Sequence, residues 1–519
     1  MKKIGILFLL FCFNSQSQNL TIQNGGSLTI EKSGSMNVSG NFSNSGTVTM
    51  HSDGDEFSAM KISGSTSGTI TYNRFVNVAE ENEWDLIGSP VGGLSISNFV
   101  ADNNGILAIN GSQYAVGYYD NEIDDWTNYT TTTVASANDF DIGKGYQMGT
   151  VSGGTQILAF TGTISANDES QSVINNNVAN GGNGRRWNLV ANPYPTYLNA
   201  NDDADNTNNF LTTNVSKIDS EFLAIYGWDA DGTGYTARGH DFNSNAAVYL
   251  APGQAFFIAS DDVAGENITF SEAMQTVSPA SSDDFIQGDA ITAKEIYLRI
   301  YHSDVFVEDT HIKFQDNMTL GLDPGYDLGS YDQNVVISSR LIEDDQGTNF
   351  AHQQLPISSM ENAVIPIVIN KPAGQEFRIN LHSATIPNSN IFLEDVQLGT
   401  FTNLFEEDVV ISADSNLAGV GRFYIHMSSE TMGNEVELRN LLNAYKKIND
   451  SYITVEGLLT QVGEVNVSLF NILGNKVLST SFNNSLNQRV ISTQGISQGI
   501  YVIELESSGS RVTKKILIK

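Results

Sequence analysis

Apolar and polar residues alternate along most of this chain in short runs broken by Gly, Asn, Ser and Asp, which predicts strands and turns throughout. At the start the pattern repeats every eight residues: Leu20-Thr-Ile-Gln-Asn-Gly-Gly-Ser, Leu28-Thr-Ile-Glu-Lys-Ser-Gly-Ser, Met36-Asn-Val-Ser-Gly-Asn-Phe-Ser. Each unit offers an apolar–polar–apolar strand and a turn. So short a strand cannot bury its face alone, so the units must stack, as a brief β-helix, or pair, as a meander. Residues 19–71 form this repeat region.

From residue 72 to residue 277 one pattern occurs twice. Trp84-Asp-Leu-Ile-Gly-Ser-Pro90 is matched by Trp187-Asn-Leu-Val-Ala-Asn-Pro193. An aromatic–acidic stretch follows each: Tyr118-Tyr119-Asp120-Asn-Glu-Ile-Asp124-Asp125-Trp126 in the first, Tyr226-Gly-Trp228-Asp229-Ala-Asp231-Gly232-Thr-Gly234-Tyr235 in the second. Gly143-Lys-Gly-Tyr-Gln-Met148 then corresponds to Gly253-Gln-Ala-Phe-Phe-Ile258, and a Phe stands seventeen residues after each leading Gly, at Phe160 and Phe270. The shared order and spacing predict an internally duplicated β domain with copies starting near residues 84 and 187. It would form one compact domain or two tandem sandwiches, with Trp84 and Trp187 in its core.

Ser and Asp crowd residues 278–288, a linker composition. Beyond it Ile296-Tyr-Leu-Arg-Ile-Tyr301, Phe377-Arg-Ile-Asn-Leu381 and Arg422-Phe-Tyr-Ile-His426 alternate, so residues 278–431 read as linker plus β-sandwich. Leu438, Leu441, Leu442 and Tyr445 fall at helical spacing and predict a helix over residues 435–447, inside a second linker at 432–450. An extended strand would also fit there.

Residues 451–519 alternate again: Tyr452-Ile-Thr-Val-Glu456, then Val465-Asn-Val-Ser-Leu-Phe-Asn-Ile-Leu-Gly474-Asn-Lys-Val477, then Gly499-Ile-Tyr501-Val-Ile-Glu-Leu505 and a basic finish, Arg511-Val-Thr-Lys514-Lys515-Ile-Leu-Ile-Lys519. This is a small antiparallel sandwich by pattern. The order of its pieces resembles the C-terminal (type A) sorting domain of Bacteroidetes type IX secretion cargo, an Ig-like fold. The resemblance implies export to the periplasm and then across the outer membrane, by machinery that recognises the tail and a sortase that removes it. Release, or anchoring to surface lipopolysaccharide, would follow. Residues 474 and 499 carry the matching glycines (Gly474, Gly499), Tyr501 the core aromatic, and Lys514, Lys515 and Lys519 the basic terminal strand.

Composition agrees with an exported chain. Lys2 and Lys3, an apolar run to residue 13 and a polar stretch to residue 18 read as a signal peptide, too short to span a bilayer. The single cysteine, Cys12, lies inside it, so the mature chain has no thiol for disulfides or thiolate metal sites. The net charge of -33 becomes -35 once Lys2 and Lys3 are removed, which repels nucleic acid. The expected class is therefore all-β, multi-domain and extracellular or cell-surface.

Candidate chemistry is sparse. Gly495-Ile-Ser497-Gln-Gly499 has the spacing of a hydrolase nucleophile elbow, but a strand follows it and no histidine lies downstream. None of the seven histidines forms a close metal-binding pair. Asp229 and Asp231 beside Gly232 have the hard-oxygen chemistry of a calcium loop, although Arg238 stands where an EF-hand needs Glu. Tyr118, Tyr119, Trp126, Trp228 and Tyr235 lie among Asp and Asn, and flat rings beside carboxylates and amides suit sugars. The favoured function is a non-catalytic adhesin-like protein with a glycan or matrix ligand. A secreted carbohydrate-active or other hydrolytic enzyme and a purely structural surface protein are the alternatives.

Overall fold

The computed structural model describes residues 15–17, 19–79, 84–176, 184–229, 234–240, 247–277, 294–386, 390–412, 414–428, 442–447, 450–458, 461, 463–483, 485–507 and 510–518. Nearly all of the ordered elements are strands, and the fold is all-β. The chain divides into two compact units, Met1–Ala290 and Ile291–Lys519.

The first unit opens with a three-sided parallel β-helix. Ser15–Ser17, which falls inside the stretch expected to be a leader, pairs with Ser35–Val38 and that with Ala59–Ile62. Leu20–Ile22, Phe42–Asn44 and Thr66–Ser67 form the second side; Ser27–Ile30, Thr47–His51 and Ile70–Phe75 form the third. Each eight-residue unit is thus one side of a turn, and the hydrogen-bonded partner lies a whole turn away, as in Ser27↔Thr47 and Ser35↔Ala59. The apolar positions stack inward as Ile30, Val38, Phe42, Val48, Met60, Ile62 and Tyr72. Asparagines serve the corners: Asn19 Oδ1 accepts the Asn41 N–H at 2.8 Å, and Asn41 Oδ1 accepts the Ser65 N–H at 3.0 Å. The open edge of the last turn is covered by the antiparallel strand Ile157–Gly162.

Two further sheets share one strand order. The first runs Asp85–Ile87, Tyr146–Met148, Gln113–Asp120, with Asp125–Thr130 hairpinned onto the last. The second runs Trp187–Ala191, Ala255–Ala259, Ile225–Asp229, Gly234–Arg238. A short helix stands in each segment, Ile96–Asp102 capped by Ser95 and Phe210–Asn214 capped by Asn209. Each helix is pinned by a fully buried asparagine. Asn103 donates to the carbonyls of Phe99 and Ala159 and accepts the Ala159 N–H. Asn214 does the same with Phe210 and Thr269. Phe99 then packs on Phe160 at 4.8 Å and Phe210 on Phe270 at 5.3 Å between ring centroids.

The segments meet reciprocally. Ile87 bridges Gln254 while Val190 bridges Lys144, and the N–H groups of Gly88 and Ala191 donate to the carbonyls of Gly253 and Gly143 at 2.7 and 2.8 Å. Corresponding residues exchange places, as across a two-fold axis. Gly143 and Gly253 both hold positive φ, +79° and +71°, and a Cβ on Gly88 would lie 2.3 Å from that of Ala191. Asn214→Ala should cost about 3 kcal/mol, because it leaves the Thr269 amide and a carbonyl buried without partners. Faster hydrogen exchange across Glu266–Phe270 would show it.

In the second unit the expected sandwich is one continuous sheet of eleven strands. Ile391 and Leu393 near one end of the strand order share a core with Phe377 and Ile411 near the other, so the sheet folds over on itself. The tail builds two sheets. Asn443–Tyr445, Tyr452–Glu456 and Arg489–Ser492 form one; Lys476–Phe482, Val465–Asn471, Gly499–Ser507 and Ser510–Ile518 form the other. Ile453, Val455, Val467, Leu469, Tyr501, Ile503 and Ile516 fill the space between. The helix expected over residues 435–447 is corrected where it is described: Asn443–Tyr445 is a strand paired to Thr454–Glu456. Residues 435–441 lie outside the described residues. Among the described residues no helix is long and apolar enough to cross a membrane.

Candidate aromatic binding site

The hairpin Gln113–Asp120/Asp125–Thr130 sets Tyr119 directly opposite Trp126, and the second hairpin sets Trp228 opposite Tyr235. Cross-strand aromatic pairs of this kind stack at the sheet surface. The ring centroids are 5.7 Å apart in the first pair and 5.0 Å in the second, both edge-to-face. Both pairs then converge on one residue. Phe257 lies 5.0 Å from Tyr119, 6.1 Å from Trp126 and 5.4 Å from Tyr235. Phe257 is fully buried at the floor, while the four rings around it are half-buried.

Polar groups fix this patch. The Tyr119 hydroxyl donates to Asp124, and burial together with that carboxylate raises the phenol above its usual range, so it stays protonated. Asn121 at the hairpin tip donates to the Ile174 carbonyl at 3.0 Å and accepts from Asn176 at 2.8 Å. Arg185 donates to the Glu122 carbonyl. The tip of the first segment is therefore tied to the second, and the patch is incomplete in either alone.

The five aromatic candidates do not all belong to it. Successive residues of a strand face opposite ways, so Tyr118 turns from Tyr119 and packs on Tyr129 with the Lys144 ammonium 4.8 Å from its ring. Phe257 was missed by sequence reasoning. Its signal was the doublet Phe256-Phe257, because adjacent strand residues on opposite faces require cover on both sides. Trp187 is a core residue, packed 4.7 Å from Tyr226. Trp84, expected in the core as well, is half-buried at the strand's start.

Of the calcium candidates, Asp231 and the side chain of Asp229 lie outside the described residues. Among the described residues no three His, Cys, Asp or Glu side chains are grouped to hold a metal ion. In the sheet of the second unit, His311 and His382 flank Tyr297 at 3.7 and 5.1 Å, and His352 follows His311 at 4.7 Å. In the tail, Gly474 makes the turn after Asn471 with φ +77°, Gly499 opens a strand, and Tyr501 is buried with its hydroxyl on the Ser497 carbonyl. Lys514 is half-buried and donates to Asn443; Lys515 is exposed, and Lys519 lies outside the described residues.

Residues 449–519 match the family model described as a secretion system C-terminal sorting domain, and residues 9–426 match one described as a domain of unknown function (DUF8693). No curated protein matches the chain. The sorting domain implies contact with the type IX secretion machinery and delivery to the cell surface or the extracellular space. An all-β cargo protein of the type IX secretion system, the chain belongs to the DUF8693 family.

Proposed function

We propose that this cargo is a non-catalytic, adhesin-like binding protein whose ligand is a glycan held on the Tyr119–Trp126–Trp228–Tyr235 patch. The observation that carries the reading is the convergence of two aromatic hairpins, from separate segments, on the buried ring of Phe257. Sugars present C–H faces that pack on such rings and hydroxyls that pair with amides and carboxylates, which Asn121, Asn176 and Asp124 offer nearby. A net charge of -33 favours neutral or basic glycans over acidic ones. Calcium at Asp229 and Asp231 would add a ligand beside the second hairpin. The sequence further supports a leader over residues 1–18, a duplication behind the two sheets, passage through the periplasm, tail removal by a sortase, and lipopolysaccharide anchoring as one fate of the product.

A glycan and polysaccharide screen of the mature chain, with and without Ca²⁺, tests this. Saturable binding is expected, and Trp126→Ala should weaken it about tenfold, by loss of one stacked ring. Tyr118→Ala, on the other face, should leave it unchanged. Equal loss in both variants would remove the patch from the account.

A further inference from the structure

The second unit holds a cluster of buried charge that neither sheet needs for its own pairing. Arg340 follows the strand Ile337–Ser339 and is only 2% exposed. Its guanidinium donates to Asp345 at 2.9 Å and Asn349 at 3.3 Å on the folded sheet, and to Glu456 at 3.3 Å on the sorting domain. The other Glu456 oxygen accepts from the Tyr445 hydroxyl at 2.7 Å, and the guanidinium lies 5.1 Å from the Tyr445 ring. The other Asp345 oxygen accepts from Asn443 at 2.8 Å. Asn443 in turn accepts from Lys514.

Shape and main-chain bonds extend the contact. Tyr445 lies so close over Gly347 that a Cβ there would come within 2.0 Å of the ring. Asn487 of the tail donates to the carbonyls of Ala418 and Val420 at 2.9 and 2.7 Å. A cavity of about 610 Å³ remains between Leu341 and Tyr424 on one side and Leu442 and Val512 on the other. The surfaces are joined by specific polar locks more than by a continuous apolar seal.

We infer that the sheet of residues 294–428 is a receptor for its own sorting domain, which stays bound after the connecting segment is cut. A buried guanidinium needs its carboxylates, and its rigid fork accepts them in one geometry, so it fixes orientation where an apolar contact would slide. Breaking such a pair by separation is costly only where one charge stays buried, so the docked state is tight yet reversible when both faces are hydrated. The docked tail presents two different faces. Lys514 turns toward the receptor surface and Lys515 toward solvent, so a partner that reads the docked tail meets Lys515 first.

The test uses the full chain with a protease recognition sequence placed within residues 431–440. After cutting, the 442–519 fragment is expected to co-elute with the rest at micromolar concentration in size exclusion. Glu456→Gln and Tyr445→Ala should each raise the dissociation constant about tenfold or more. Asn487→Ala, at the rim, should raise it severalfold and guards against a misfolded tail. Immediate separation of the cut wild-type chain would overturn the inference, as would unchanged retention in all three variants.

Discussion

Removing residues 508–519 should abolish export. The strand Ser510–Ile518 pairs with Gly499–Ser507 along its whole length and puts Ile516 and Ile518, 2% and 3% exposed, into the tail core. Its loss uncovers that core and leaves Gly499–Ser507 as a new open edge beside Val465–Asn471. The basic residues Lys514 and Lys515 go with it. The sorting signal is thus lost both as a fold and as a charge pattern. The truncated chain is expected inside the outer membrane and absent from intact-cell surface labelling. Normal surface labelling would contradict the role assigned to this strand.

Arg340→Ala should destabilise the second unit by about 3–5 kcal/mol, the cost of leaving buried carboxylates without their partner. Burial alone would lower the Arg340 pKa, but Asp345 and Glu456 outweigh it and hold the guanidinium charged. Both carboxylates are themselves buried, with side chains 7% and 2% exposed, so water cannot replace the lost cation. Arg340→Lys should recover only part of the loss, because a point charge cannot serve Asp345, Asn349 and Glu456 together. Hydrogen exchange measures this better than a single melting curve, since a chain of two units need not unfold in one step. Protection should fall in both Val364–Ile369 and Tyr452–Glu456. A change confined to the tail would place the cluster's importance there alone.

Local patterns were legible where a strand's partner lies close in sequence. The alternation in Gly499–Ser507 shows directly as the buried and exposed faces of the tail, whereas Tyr452–Glu456 alternates in sequence but is buried on both faces after Tyr452. The opening repeat showed its eight-residue unit, but not three sides to a turn, because a strand such as Thr66–Ser67 carries no apolar pattern at all. Its place comes from pairing with Phe42–Asn44, a full turn earlier. The leucine spacing before Tyr445 suggested a helix. Asn443 and Tyr445 instead take alternate positions in a strand because their partners, Asp345 and Glu456, lie on neighbouring strands and loops. A partner 98 residues away overrides local propensity. At the aromatic patch the two hairpins were visible as residue types, and their meeting at Phe257 was not. That meeting depends on how the two segments pack.

The most direct measurement of the binding account is a tryptophan-emission titration of the mature chain against neutral polysaccharides. Among its four tryptophans, Trp126 and Trp228 stand half-buried in the patch, whereas Trp187 is sealed in the core. A ligand stacked on the patch should change the emission saturably, and Trp126→Phe combined with Trp228→Phe should remove most of that change. A saturable response that survives both substitutions, or none from any glycan, would contradict the account.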